Sequence, residues 1–190
     1  KALFPECAPT ALVLGSGPSI RAVVQDVATS FNEVWCFDQE ALAYPNAELI
    51  RPLLVKVLPA GAVVLLPHST LGIDLGPGLS VKLGAAYLPD VVGFDGLEGA
   101  QLKVVRQEFA GQVSAHVQGD IAQGAVITVR SGAFPPAEAG FATGTVADCL
   151  SWIGAGPDPG AWVSASSSGG RLRCVGFGVA RVTFSTSAGI

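Results

Sequence analysis

Thr10–Leu14 is a short apolar run that stops at Gly15-Ser16-Gly17, and after Pro18 the residues Ile20, Val23, Val24 and Val27 recur at helical spacing. The order is strand, tight turn, helix. Glu33–Phe37 then supplies a second β-type run, so the opening segment spells one βαβ unit. Two strands joined through a helix must run parallel, because a crossover of that length returns the chain to the end it started from. A sheet built this way needs cover on both faces, and the rest of the chain has to provide it.

The downstream pattern fits that demand. Leu49, Ile50, Leu53, Leu54 and Val57 give a second helical stripe, which Pro52 is expected either to start near Arg51 or to kink. Ala62–Leu66 is a continuous apolar strand of the doubly covered kind. After Pro67-His68-Ser69-Thr70 a glycine-rich loop, Ser69–Gly78, leads to a predicted short helix, Leu79–Leu83, ending at Gly84. Then Leu102–Phe109 and Gln112–Val117, separated by Ala110-Gly111, predict an antiparallel hairpin. Ala125–Arg130 adds a strand, and Ser131–Pro136 closes the compact part. The expected fold is α/β: a three-layer, Rossmann-like, mostly parallel sheet flanked by helices, with an antiparallel hairpin added. Residues 1–136 form this domain, and residues 137–190 form a Gly/Ser/Pro-rich, loop-rich extension in which only Arg171–Phe177 and, more weakly, Ala180–Phe184 look strand-like.

Hydrophobic residues make up 49% of the chain and charged ones 14%, enough to bury a core within the single-domain size range. Fifteen acidic against eleven scattered basic side chains give a net charge of −4, which argues against nucleic acid. The apolar runs fall far short of the ~20 residues of a membrane span, and no secretory leader is evident. A soluble intracellular protein is expected, in the cytoplasm of a bacterium or the mitochondrial matrix of a eukaryote. Cys7, Cys36, Cys149 and Cys174 lack the CxxC spacing of zinc or redox pairs and read as buried thiols, although spacing alone leaves a disulfide open.

Candidate chemistry is sparse. Gly15-Ser16-Gly17 has the position of a dinucleotide fingerprint, but Ile20 stands where the third glycine belongs, and Asp38 is the one acidic residue near the end of the next strand. A plain tight turn explains the glycines better. His68 follows an apolar strand, where α/β sheets place ligand-binding groups, and His116 lies in the hairpin; neither has a carboxylate or cysteine at metal-ligand spacing. No G-x-S-x-G elbow presents a serine nucleophile. Asp74, Asp90, Asp95, Glu98 and Asp120 sit at turn positions or beside Gly or Pro, where turn chemistry accounts for them. The loop residues Ser69, Thr70, Gly72 and Asp74 are small and polar enough to contact a ligand. Arg106, inside an otherwise apolar strand, must reach solvent at a hairpin edge or find a partner, and a subunit interface is one solution.

The stretch from Ala62 to Phe134 resembles the N-terminal domain of electron-transfer flavoprotein alpha subunits. The landmarks come in order: the apolar strand, Gly72 and Asp74, Leu83-Gly84, Arg106 before Phe109-Ala110-Gly111, and Val126–Arg130 with Phe134. The chain departs from the pattern at Ile73 and Gly78, where the family carries basic residues, and an opening strand and helix are not evident. The Q-T-G and G-I-S-G-A signatures of the FAD domain are also lacking, and Ser185–Ile190 looks at best like its beginning. The resemblance implies a scaffold that pairs with a beta subunit and serves electron transfer from dehydrogenases to a quinone reductase or another acceptor. It implies no catalytic residues, no metal and no cofactor on this chain alone, FAD belonging to the full assembly. Two competing readings are a stand-alone adenine-nucleotide-binding module using Gly15–Ser19 and the Ser69–Asp74 loop, and a small hydrolase with His68 or His116 beside a carboxylate.

Overall fold

In the computed structural model, residues 9–135, 144–148 and 174–179 are described, with 4 and 7 besides; for 148 and 174–179 only the backbone is. The predicted βαβ unit is present as β1 (Thr10–Gly15), α1 (Ser19–Ala28) and β2 (Glu33–Asp38), with β1 and β2 parallel in register from Thr10↔Glu33 to Gly15↔Asp38. A short 3₁₀ turn, Glu40–Leu42, leads to α2 (Ala47–Val57), followed by β3 (Val63–Pro67) and α3 (Thr70–Leu83). The strands β4 (Ala86–Glu98), β5 (Gln101–Glu108), β6 (Val113–Asp120) and β7 (Ala125–Val129) follow, and then β8 (Thr145–Asp148) and β9 (Cys174–Val179). All nine form one sheet in the order β6-β5-β4-β7-β3-β9-β1-β2-β8. Among the described residues only β4–β5 and β5–β6 pair antiparallel.

Alternation along each strand sorts the core into two sides. Leu12, Leu14, Phe37, Val64 and Leu66 pack with Ile50, Leu54, Leu75 and Leu79 of α2 and α3. Ala11, Val13, Val34 and Cys36 face the other way, against Ile20 and Val24 of α1. The three-layer α/β arrangement is therefore as expected. On the α1 side a second apolar cluster, including Val63, Leu88, Leu102, Val104 and Ile127, carries the core beneath the antiparallel strands. No helix among the described residues is long and apolar enough to cross a membrane.

Several local expectations are corrected. Helix α2 begins neither at Arg51 nor at Pro52: the Asn46 side chain accepts from the Glu48 N–H and caps the helix five residues earlier. Pro52 lies on the exposed side of the helix, where the backbone carbonyl deprived of its donor can turn to water. The Ser69–Gly78 segment is not a loop but the first two-thirds of α3. Its glycines and Pro77 read as helix breakers, costing about 1 kcal/mol per glycine and about 3 for the proline. Tertiary contacts decide otherwise. An added Cβ would lie 1.9 Å from the Pro67 carbonyl oxygen at Gly72, 2.8 Å from the Tyr87 ring at Gly76 and 2.6 Å from Arg51 Nε at Gly78. The bare backbone lets α3 approach the sheet and α2 closely enough to bury Leu75 and Leu79 fully, each contributing about 2–3 kcal/mol, with about 1 more from the Ser69 cap.

Two strands come from the segment expected to be loop-rich: β8, which was not foreseen, and β9, which overlaps the strand-like stretch Arg171–Phe177. β8 extends the sheet beyond β2, and β9 lies between β3 and β1, so the sheet draws on residues from both sides of position 136. The strand-like stretch Ala180–Phe184 lies outside the described residues, as does Cys149. Cys36 is buried, as expected of it.

Gly72→Ala is expected to cost about 3 kcal/mol or more, because the backbone carbonyl of Pro67 cannot yield as a side chain would. Urea unfolding of the variant checks this, and Gly84→Ala, which meets nothing in space and suffers only from its positive φ, is the milder control.

Candidate functional site

The residues able to do chemistry gather at the carboxyl ends of β3 and β7. In the parallel register Pro67 lies beside Val129, so the residues that follow, His68 and Arg130, emerge side by side. The His68 N–H donates to the Val129 carbonyl at 2.7 Å, extending the ladder by one step. Next to them β4 makes a bulge, where its pairing with β7 shifts between Leu88 and Val91. Asp90 sits in that bulge with φ 57°, a left-handed conformation that Asp adopts more readily than most residues. Its N–H is thereby taken off the ladder and donates to Thr128 Oγ1 at 2.9 Å.

The bend aims the Asp90 carboxylate at Arg130 and His68. Arg130 donates to it through both Nε (2.8 Å) and an Nη2 group, a bidentate pair, while Arg130 Nη1 donates to Gln107 Oε1 of β5 at 2.6 Å. His68 Nε2 is 3.6 Å from Asp90 Oδ1, and its Nδ1 is 2.9 Å from Thr128 Oγ1. Since that hydroxyl already accepts from Asp90, it can give its proton to a neutral His68 and leave Nε2–H facing the carboxylate. Hydrogen bonds from Arg130 hold the Asp90 carboxyl below the usual carboxylate range, against a smaller opposing effect of burial and with help from the charges of His68, Arg130 and Arg106. The same pair pushes the Arg130 guanidinium up. Tyr87, packed on Gly76 of α3, has its phenol pushed up by burial, partly offset by its hydrogen bond to Thr128.

Arg106 is not at a hairpin edge, since β5 lies between β4 and β6. Its Nη2 pairs with Glu108 at 3.2 Å, but its Nε is buried without a hydrogen-bond partner. The hairpin turn beside it is strained: Phe109 (φ 51°) and Ala110 (φ 55°) are both left-handed, ahead of Gly111 (φ 87°). Phe109 is 76% exposed, which for an aromatic ring held on a strained turn marks a presented group rather than a packed one.

The predicted loop residues all lie at the cap or in the first turns of α3. Ser69 caps α3 by accepting from the Gly72 N–H at 3.4 Å, Thr70 is exposed, Gly72 is pressed on Pro67, and Asp74 receives Arg51 on its backbone carbonyl at 3.1 Å. The turn-chemistry reading of Asp90 and Asp95 is corrected: both lie in β4, and each meets a histidine, Asp95 at 2.6 Å from His116 Nδ1. Spacing along the sequence could not show these pairs, which form across strands. A usable signal did exist, in two polar residues that each follow an apolar parallel strand. Among the described residues no group of three or more His, Cys, Asp or Glu side chains could hold a metal.

The parts that the two competing readings call for are present only in some measure. The Gly17 N–H donates to Asp38 Oδ1 at 3.1 Å, so a carboxylate stands where a nucleotide's pyrophosphate would have to accept, and the glycine turn does not fit FAD or another dinucleotide. The hydrolase's His–carboxylate pair is present at His68 and Asp90, but the hydroxyl on the other ring nitrogen belongs to Thr128, which is fully buried and already engaged. A nucleophile must reach its substrate, and this one does not. An apolar cavity of about 460 Å³ opens on the α1 side, lined by Val13, Val27, Phe31, Leu65, Arg130 and Phe134 among others, and none of the predicted loop residues borders it.

Fold and site thus define a mostly parallel Rossmann-like α/β domain whose polar network ties neighbouring strands together. Residues 5–149 match the family model of the electron transfer flavoprotein domain, and the chain belongs to that family. Its members are electron carriers rather than catalysts, and their function depends on electron-transfer partners. No curated protein matches the chain.

Asp90→Asn keeps a residue that tolerates the left-handed bend while removing the charge. Because the folded carboxyl titrates lower than the unfolded one, its contribution is complete above about pH 4 and lost as pH falls through the folded value. The melting temperature of the variant is therefore expected to lie below that of the parent at neutral pH, and the gap to close in acid; a gap independent of pH would contradict the ion-pair account.

Proposed function

We propose that this chain is an electron-transfer flavoprotein domain of the alpha-subunit type, acting as scaffold and as the surface on which a beta-type subunit docks, within a path from dehydrogenases to a quinone reductase or similar acceptor. The observation that carries the reading is the convergence of its alpha-type motif residues. Arg106 and Phe109-Ala110-Gly111 lie within six residues of one hairpin, and Arg130, remote in sequence, joins its stem through Gln107 and fastens it to Asp90. A ring exposed on a strained turn and a buried, unsatisfied Arg106 Nε suit a surface completed by another subunit.

Residues 1–136 carry this role, and FAD belongs to a further domain of the assembly rather than to this chain by itself. The chain's work is then to hold the partner in register, with no turnover of its own. The turn at Gly15–Gly17, closed by Asp38, supports the absence of a dinucleotide here and speaks against the stand-alone nucleotide module.

Two measurements test the proposal. Calorimetric titration of the purified chain with AMP, ATP and FAD is expected to show no saturable heat, and an adenine nucleotide bound tighter than about 10 µM would favour the rival module. Mixing with an electron-transfer flavoprotein beta subunit is expected to give a complex that Arg106→Ala weakens about tenfold, near 1.4 kcal/mol; a beta subunit that ignores the chain would overturn the assignment.

A further inference from the structure

β9 holds a place in the sheet that its position in the sequence does not foretell. In a doubly wound sheet of the Rossmann kind the first strand lies in the middle, flanked by the second and the fourth. Here that stretch of the sheet reads β2-β1-β9-β3, and the strand in the middle is the last of those described. β9 runs parallel to both neighbours, in register from Thr10↔Val175 to Leu14↔Val179 on β1 and from Val63↔Cys174 to Leu65↔Gly176 on β3. On one side of it stand β6-β5-β4-β7-β3 and on the other β1-β2-β8, and among the described residues no ladder joins these two half-sheets except through β9. The fit is loose on one face. Ala11 and Val13 of β1 belong to the α1 side of the sheet, as does Leu65 of β3, and their partners in register are Gly176 and Gly178. β9 therefore turns its two glycines to the α1 side. Ala11, Val13 and Leu65 also line the apolar cavity of about 460 Å³, so that the void lies over the glycines, between the strands that flank β9. Glycine inside a strand weakens it, since it has no side chain to pack and loses the most freedom on folding.

We propose that the space between β3 and β1 is a binding site for an extended apolar strand, occupied by β9 as a loosely fitting and exchangeable resident. The walls set the class of ligand: two parallel strands offer it rows of N–H and C=O groups, and the side facing α1 takes apolar side chains. The backbone of β9 seated in both ladders identifies the resident, and the cavity over Gly176 and Gly178 calls for larger residues at those two alternate positions. The slot keeps its walls when the resident leaves. β1 retains its pairing with β2 and β3 its pairing with β7, while Leu12 and Leu14 of one half-sheet and Val64 and Leu66 of the other stay packed in the same cluster with α2 and α3. The inference rests on β9 and the cavity beside it, and it stands or falls independently of the docking of a beta subunit at Arg106.

The test uses the full chain and a labelled synthetic peptide of residues 172–181 carrying Gly176→Val and Gly178→Val. Fluorescence anisotropy is expected to show the peptide binding with a Kd of about 10 µM, and a peptide of the same composition in scrambled order not binding. As the peptide binds, the amides of β9 are expected to exchange with solvent at least about tenfold faster, while those of β1 and β3 keep their protection. Placed in the chain itself, the same two substitutions are expected to raise its melting temperature by about 3 °C, because they fill the void. They are also expected to weaken the peptide about tenfold, because the resident strand then fits as well as its competitor. A peptide that fails to bind at about 1 mM, one that binds while β9 stays protected, or one that binds the substituted chain as tightly as the parent would each overturn the proposal. So would a substituted chain that melts lower than the parent.

Discussion

β4 has to satisfy two hydrogen-bond geometries at once, and most of what is distinctive in this domain follows from how it does so. Its first residues pair parallel with β7, with the slanted bonds of a doubly covered sheet, and from Val91 onward it also pairs antiparallel with β5. Mixed sheets often carry such strands, but here the register with β7 slips between Leu88 and Val91. The left-handed Asp90 absorbs the mismatch: its N–H leaves the ladder for Thr128, and the ladder resumes where the Arg130 N–H donates to the Val91 carbonyl. The conformation that repairs the backbone also points a carboxylate at Arg130 and His68.

That coupling makes the polar cluster a fastening between strands. Arg130 is bound on two sides, to Asp90 of β4 and Gln107 of β5, so the antiparallel layer is tied to the end of the parallel one. Thr128 is spent on both Asp90 and His68. Groups so fully engaged have little capacity left for a substrate. The family's members are electron carriers that work with electron-transfer partners, and the hairpin, locked at its stem, carries a strained, exposed turn at its tip.

Much of the fold could be read in the sequence because its signals are local. The Gly15–Gly17 turn, the stripe of α1, the runs of β1, β2, β3 and β7, and the Ala110-Gly111 break between β5 and β6 each follow from residues within one element. The misreadings share one cause. Ser69–Gly78 is rich in helix breakers, and Pro89, Gly93 and Gly96 interrupt β4, yet the first runs on as helix and the second as a strand, bent at Asp90 and shifted in register. The atoms that reward the glycines, Pro67 O, Tyr87, Arg51 and Val105, belong to other elements. The site was legible only in part: His68 and Arg106 stood out, but their partners lie on neighbouring strands.

The sequence by itself determined the class of fold, since an apolar strand, a glycine turn and an amphipathic helix in that order commit the chain to parallel pairing with cover on both faces. It also carried the family through motif residues in the hairpin and in β7. Only the tertiary structure decided that the glycine-rich stretch is a helix pressed against the sheet, that Asp38 closes the turn a nucleotide would need, and that Asp90 joins His68 and Arg130. Each of these depends on distances between segments remote along the chain, and hydrophobic periodicity and local propensity, which report only on a residue's near neighbours, carry no information about them.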